Sequence, residues 1–205
     1  THATTVGAIT SLALAAIDTA LWDLRALRAA LPLHLLAGGA RTRIPAHTTE
    51  GGWLQLSEEE LVDDARRARE EGFHGVKIKI GKPTVRADVK RVAAVRAAVG
   101  DDLEVMVDCN QAFAVDEAIR RAHALSVFDI AWMEEPLPAD DLDGHIRLAA
   151  STPVPVAVGE SIYGVRHFRE YMQQRACSVI QVDCARVDGI TPWLKTVTTF
   201  SVPTH

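Results

Sequence analysis

At 205 residues, with 48% hydrophobic and 24% charged side chains, the chain has the composition of a globular protein and the length to bury one large core or two small ones. A formal net charge of −5 and the lack of any Lys/Arg-rich block exclude the positive surface that nucleic acids or anionic membranes require, which leaves small molecules as the expected partners. Cys109, Cys177 and Cys184 show no CxxC or zinc spacing, so a reducing, cytoplasmic compartment is expected rather than a disulfide framework.

From Ser11 onward, Leu14, Ile17, Leu21, Leu24 and Leu27 recur at steps of three and four, which predicts a packed helix stopped by Pro32. Asp18, Asp23, Arg25 and Arg28 interrupt it, so it is neither a membrane span nor a signal peptide. Residues 43–49 read as a first strand, and Ser57 with Glu60 forms a capping box that opens a helix ending at Gly72. Strand 76–80 follows. The pattern then predicts helix 88–99, strand 103–109, helix 115–125, strand 130–134, helix 142–150, strand 154–158, helix 165–174 and strand 179–183. Residues 190–200, with Pro192 and a Thr-Val-Thr-Thr run, are poor helix material.

Strands alternating with helices predict a parallel sheet covered by helices. The residues closing the strands are Lys79, Asp108, Glu134, Glu160, Asp183 and, if Val202 lies in a last strand, His205, at steps of 29, 26, 26, 23 and 22. So regular a period fits an α/β chain of the TIM-type (β/α)8 barrel class better than a doubly wound sheet. Such a barrel gathers the closing residues on one rim, where its active sites lie.

In Val76-Lys77-Ile78-Lys79-Ile80 the lysines share one face and the β-branched residues the other. Alone, this is an amphipathic strand with its lysines in water; acids at the later strand ends turn them inward. Asp108, Glu134 and Glu160 would repel one another unless a cation held them, and oxygen-only ligands select a hard ion, Mg²⁺ first and Mn²⁺ as a substitute. The plainer alternative makes each acid a strand-end cap. Asn110 either bonds a substrate hydroxyl or makes a turn. In Glu134-Glu135-Pro136 only one glutamate can face inward; Trp132 and Glu134 share a face, Pro136 is expected to hold Glu135 extended, and Glu134 is chosen as ligand.

The ordered set Val-Lys-Ile-Lys-Ile at 76–80, Val-Asp-Cys-Asn-Gln at 107–111, Trp-Met-Glu-Glu-Pro at 132–136, Val-Gly-Glu-Ser at 158–161, Gln-Val-Asp at 181–183 and Asp-Gly-Ile-Thr at 188–191 resembles the enolase superfamily. Within it the resemblance is to the mandelate racemase / muconate lactonizing enzyme family, nearest the mandelate racemase subgroup. Residues 15–23 resemble the helix before the barrel in that family, so the likeness runs from about Ser11 to His205. It implies Mg²⁺-dependent abstraction of the proton α to a carboxylate through a metal-stabilised enediolate, by a racemase or epimerase of a 2-hydroxy acid or, alternatively, an acid-sugar dehydratase. It also implies Asp108, Glu134 and Glu160 as metal ligands, Lys77 neutralising the substrate carboxylate, Lys79 as the base on one face, and an Asp183–His205 dyad on the other. The physics is consistent, because removing such a proton creates a dianion that a cation and an ammonium group stabilise as it forms.

Family members carry a substantial capping domain before the pre-barrel helix and a further strand after the His. Residues 1–42 are therefore expected to be a remnant of the capping domain with the pre-barrel helix, and residues 43–205 a partial barrel catalytic domain, of a longer protein. A non-catalytic or inactive truncated barrel is the rival reading; a hydrolase built on Ser161 lacks the nucleophile elbow. The expected partners are a small-molecule carboxylate substrate and further copies of the chain in a homo-oligomer. Trp53 is read either as part of a substrate loop or as a surface aromatic. His34, His47, His74, His123, His145 and His167 follow no paired-ligand spacing and are expected to be surface or satisfied residues.

Overall fold

Strands and helices alternate through most of the chain because short valine- and isoleucine-rich runs are punctuated by capped helices. The computed structural model describes residues 7–39 and 41–199. Two compact units emerge, one formed by Pro45–Val158 with Arg175–Val179, the other by the described parts of Thr1–Ile44 and Ile180–His205 with Gly159–Gln174.

The first unit holds β1 (His47–Thr48), α3 (Glu58–Glu70), β2 (Gly75–Lys79), α4 (Val85–Val99), β3 (Glu104–Asp108), α5 (Val115–Leu125), β4 (Met133–Glu134), α6 (Leu142–Ser151) and β5 (Val156–Val158). The sheet runs β1-β2-β3-β4-β5-β6 in chain order, with β6 at Val179–Ile180, and successive strands from β1 to β5 pair in parallel. This uninterrupted order is that of a partial α/β barrel; a doubly wound sheet would reverse its strand order part-way.

The capping box of α3 is present: Ser57 Oγ accepts from the Glu60 N–H at 3.2 Å, and the Ser57 N–H donates to Glu60 Oε2 at 2.8 Å. Leu61, Ala65 and Ala68 form the buried face of α3, and Val92, Val95 and Val99 that of α4. The other layer of the core is supplied by Val76 and Ile78 on β2 and Ile80 just after it, each at most 4% exposed. The lysines therefore occupy the face away from those three residues. Register then sets Lys79 beside Asp108, and Asp108 beside Glu134.

The second unit contains α1 (Ala8–Ala29), α2 (Leu33–Leu36), α7 (Gly164–Gln173) and α8 (Ile190–Thr199). The periodicity correctly marks α1 but misplaces its packed face: Ile17, Leu21, Leu24 and Leu27 are exposed, whereas Ser11, Ala15 and Ala26 are buried. Polar side chains make its contact with α8. Asp18 accepts from the Thr191 N–H at 2.9 Å and hydroxyl at 2.7 Å, and Trp22 Nε1 donates to Thr191 Oγ1 at 2.8 Å.

Residues 190–199 form a helix despite their low propensity. Pro192 falls in the first turn, where its missing N–H is harmless, and the Thr196 and Thr198 hydroxyls donate to carbonyls four residues back. Among the described residues, no helix is long and apolar enough to cross a membrane.

Candidate active site

The ends of β2, β3 and β4 bring four of the predicted side chains together. Lys77 Nζ lies 2.5 Å from Glu134 Oε1 and 3.3 Å from Asp108 Oδ2, while Lys79 Nζ lies 2.5 Å from the same Asp108 oxygen. Asp108 is wholly buried and Glu134 is 2% exposed, so two carboxylates that would repel each other are bridged by ammonium groups. Burial opposes the charge on Lys77, but its hydrogen bond to Glu134 and the charges of Glu134 and Asp108 outweigh it and raise the pKa above the ordinary lysine value. Lys77 is therefore a fixed cation, as a clamp for a carboxylate requires.

Trp132 shares the inward face with Glu134, and its indole N–H donates to Glu134 Oε2 at 3.3 Å. Glu135 departs from expectation. Its φ is +40°, not extended, because its N–H donates to the Ala157 carbonyl at 2.9 Å while its own carbonyl accepts from Gln111 at 2.7 Å; these tertiary bonds override the bias imposed by Pro136. Its buried carboxylate accepts from Gln111 Nε2 at 3.3 Å.

Asn110 has φ +44°, and its N–H donates to Asp108 Oδ1 at 2.9 Å. The backbone thus turns at Asn110 and the side chain leaves the strand. A cleft of about 240 Å³ is lined by Trp53, Leu54, Lys79, Cys109 and Asn110, which puts the aromatic of the 51–56 loop beside the predicted base. Burial, followed by the charges of Asp108 and Asp88, raises the Cys109 pKa well above the usual range, so it lines the cleft as a neutral thiol.

Sequence reasoning missed what holds that loop. Arg91, 3% exposed on α4, donates to the Leu56 carbonyl at 2.7 Å and the Trp53 carbonyl at 3.0 Å, and the Lys79 N–H donates to the Gly52 carbonyl at 2.7 Å. A side chain at Gly52 would collide with the Lys77 carbonyl, so the Gly51-Gly52 pair was the available signal for this close approach.

In the second unit, Glu160 is partly buried just after β5, and its carbonyl accepts from Arg186. Asp183 Oδ1 accepts from the N–H groups of Ala185 at 2.7 Å and Arg186 at 3.2 Å, which caps the turn that follows. His205 lies outside the described residues.

The metal expected from the sequence can be tested against this donor set. Asp108 and Glu134 offer buried carboxylate oxygens without sulfur or imidazole, and their named partners are ammonium groups, indole and amide N–H. Carboxylate oxygens of this kind, once the ammonium groups give way, suit a hard divalent cation.

Residues 60–201 match the family described as enolase C-terminal domain-like. The chain belongs to that family. An L-talarate/galactarate dehydratase of Salmonella typhimurium is 39% identical to this enolase-superfamily chain over 183 residues, covering 89% of the chain and 46% of that protein. An L-Ala-D/L-Glu epimerase of Clostridium acetobutylicum is 32% identical over 183 residues, covering 88% of the chain and 50% of the epimerase. The structure of an L-talarate dehydratase from Polaromonas sp. JS666, complexed with Mg and L-glucarate, matches with a TM-score of 0.90 at 37% identity, covering 96% of this chain and 55% of that one. The chain spans about half the length of the curated relatives it matches.

Proposed function

We propose that the intact protein removes the proton α to the carboxylate of a small hydroxy acid, with residues 43–205 forming part of a (β/α)8 barrel and residues 1–42 ending a capping domain. The observation that carries this reading is the part-buried chain Lys79–Asp108–Lys77–Glu134 at the ends of three adjacent strands.

Asp108, Glu134 and, by its position after β5, Glu160 would hold Mg²⁺. When bound, that ion supplies positive charge to the substrate carboxylate as the proton leaves. Lys77 stays charged and pairs with the same carboxylate. Lys79, in the cleft with Trp53 and Asn110, leaves Asp108 Oδ2, gives its ammonium proton to solvent and, as the neutral amine, takes the α-proton on its Nζ. Asn110 offers its amide to a substrate hydroxyl. Asp183 and His205 serve the opposite face, with His205 returning a proton to carbon or to a departing hydroxyl.

Acid-sugar dehydration is the preferred outcome, supported by the likeness to the Salmonella dehydratase. Epimerisation is the second reading, favoured by the likeness to the Clostridium epimerase. Both begin with the same proton. The test incubates the intact protein and Mg²⁺ with hexarates, aldonates and L-Ala-L-Glu in D₂O, following 2-keto acid formation and α-deuteration by NMR. Lys79→Ala is expected to lower both by about 10³-fold. Turnover unchanged by that substitution would refute Lys79 as the base, and a 2-keto product would select dehydration over epimerisation.

A further inference from the structure

At the opposite end of the same strands, His47 opens β1, His74 precedes β2 and Glu104 opens β3. One potential ligand atom from each lies within 4.8 Å of the other two. His47 Nε2 is 3.0 Å from Glu104 Oε2, and His74 Nε2 is 3.5 Å from Glu104 Oε1. We infer that His47, His74 and Glu104 form a second metal site, selective for zinc and separate from the lysine–carboxylate rim.

Three observations carry the site. The first is angular: His47 Nε2 is buried and close to a carboxylate oxygen, yet makes no hydrogen bond in the structure. An oxygen near a ring nitrogen but off its hydrogen-bonding line is the arrangement expected when both atoms point at a common ion. The edge between two ligands of a tetrahedral zinc with bonds of about 2.0–2.1 Å is about 3.3 Å, and the two N···O distances bracket that value.

The second is the room made for the approach. His47 pairs in register with Gly75, and Gly75 with Glu104, so His47 and Glu104 stand on either side of a residue without a side chain. A Cβ at Gly75 would come within 2.8 Å of Glu104 Cβ and 2.9 Å of the His47 ring. Gly75 is what lets the two ligands reach across the intervening strand.

The third is support of the ligands. The His47 and His74 rings lie 5.7 Å apart at an interplanar angle of 30°, and Trp132 packs its ring edgewise on His47 at 5.6 Å. His47 is thereby held while His74 remains accessible from solvent.

Two imidazoles and a carboxylate select a borderline ion such as Zn²⁺ over Mg²⁺, and leave one position for water. The β3 rise from Glu104 to Asp108, about 13 Å at about 3.3 Å per residue, separates this set from the rim. The exposure of His74 agrees with the surface position expected from the sequence, and the proposal adds a shared ligand role for it and His47.

The test is Zn²⁺ titration of the intact protein at neutral pH against a chromophoric chelator, with Mg²⁺ in large excess to occupy the carboxylate rim. Co²⁺ substitution provides a spectroscopic readout. One Zn²⁺ per chain is expected, with affinity at least about 100-fold weaker in His74→Ala and in Glu104→Gln, and with the visible Co²⁺ band lost in both. His74 is exposed, so its replacement tests the ligand without emptying the core. Unchanged affinity in both variants would overturn the assignment by placing the zinc elsewhere. Zn²⁺ binding no tighter than millimolar in the unsubstituted protein would overturn it in favour of a simple His–Glu ion pair.

Discussion

Asp88 lies outside the proposed catalytic set, yet it fixes the segment that leaves the predicted base. Wholly buried, it accepts the N–H groups of Gly81 at 3.0 Å and Lys82 at 3.1 Å, and it pairs with the Arg121 guanidinium. Arg121 is itself 4% exposed and also donates to the Lys82 carbonyl at 3.0 Å. Asp88→Asn keeps an acceptor for one amide but removes the more buried of the two carboxylates that pair with the Arg121 guanidinium, Glu117 at 2.7 Å being the other, and is expected to cost about 3 kcal/mol in urea unfolding. The Arg147–Asp116 pair supplies the contrast: its side chains are 62% and 82% exposed, so Asp116→Asn should change stability by less than about 0.5 kcal/mol. Equal losses in the two variants would show that burial does not govern the Asp88 contribution. At this scale the convergence of Lys77, Lys79, Asp108 and Glu134 was legible because they stand at successive strand ends. The conformation of Glu135 was not, because it follows from bonds to Gln111 and Ala157, which are distant in sequence.

Helix ends are decided locally, and their stability should follow local chemistry. Ser57 and Glu60 satisfy each other's backbone donors at the start of α3, while Thr84 accepts the Ala87 N–H at 3.2 Å at the start of α4. Ser57→Ala is expected to lower stability by about 1 kcal/mol, read from the denaturant midpoint at unchanged slope. No loss in that variant would mean that water replaces the cap at no cost. The same locality explains which boundaries could be read in advance. The pattern marks α5 at Val115–Leu125, where the structure has it, since a hydrophobic period is intrinsic to the segment. Strand limits depend on a partner. The extended-looking residues 43–49 and 130–134 yield only His47–Thr48 and Met133–Glu134 as strand, although Ala46, Ala131 and Trp132 also bond through the backbone to His74, Val105 and Val107. Helix α8 forms against its own composition where Thr191 is anchored on α1, while the Thr196 and Thr198 hydroxyls are satisfied within the helix.

Across the whole sheet, parallel strands give the molecule two chemically different ends. The steps from Lys79 to Asp108 and on to Glu134 pointed to one end. The other stayed hidden because His47, His74 and Glu104 come together only through the register of three strands, with Gly75 as the spacer. Trp132 touches both groups: its ring meets His47 at 5.6 Å, and its Nε1 donates to Glu134 Oε2 at 3.3 Å. Trp132→Phe keeps an aromatic ring against His47 but removes the indole donor from the proposed magnesium ligand. Partners that orient a ligand in this way typically contribute 10- to 100-fold in metal affinity. The substitution is therefore expected to weaken apparent Mg²⁺ affinity about 10-fold, measured as the Mg²⁺ dependence of α-deuteration, while Zn²⁺ affinity stays within about twofold. Parallel weakening of both metals would identify Trp132 as a packing element shared by the two ends. Loss confined to Mg²⁺ would locate its contribution in the hydrogen bond to Glu134, and would show that the ends of the sheet bind their ions independently although a single side chain spans the distance between them.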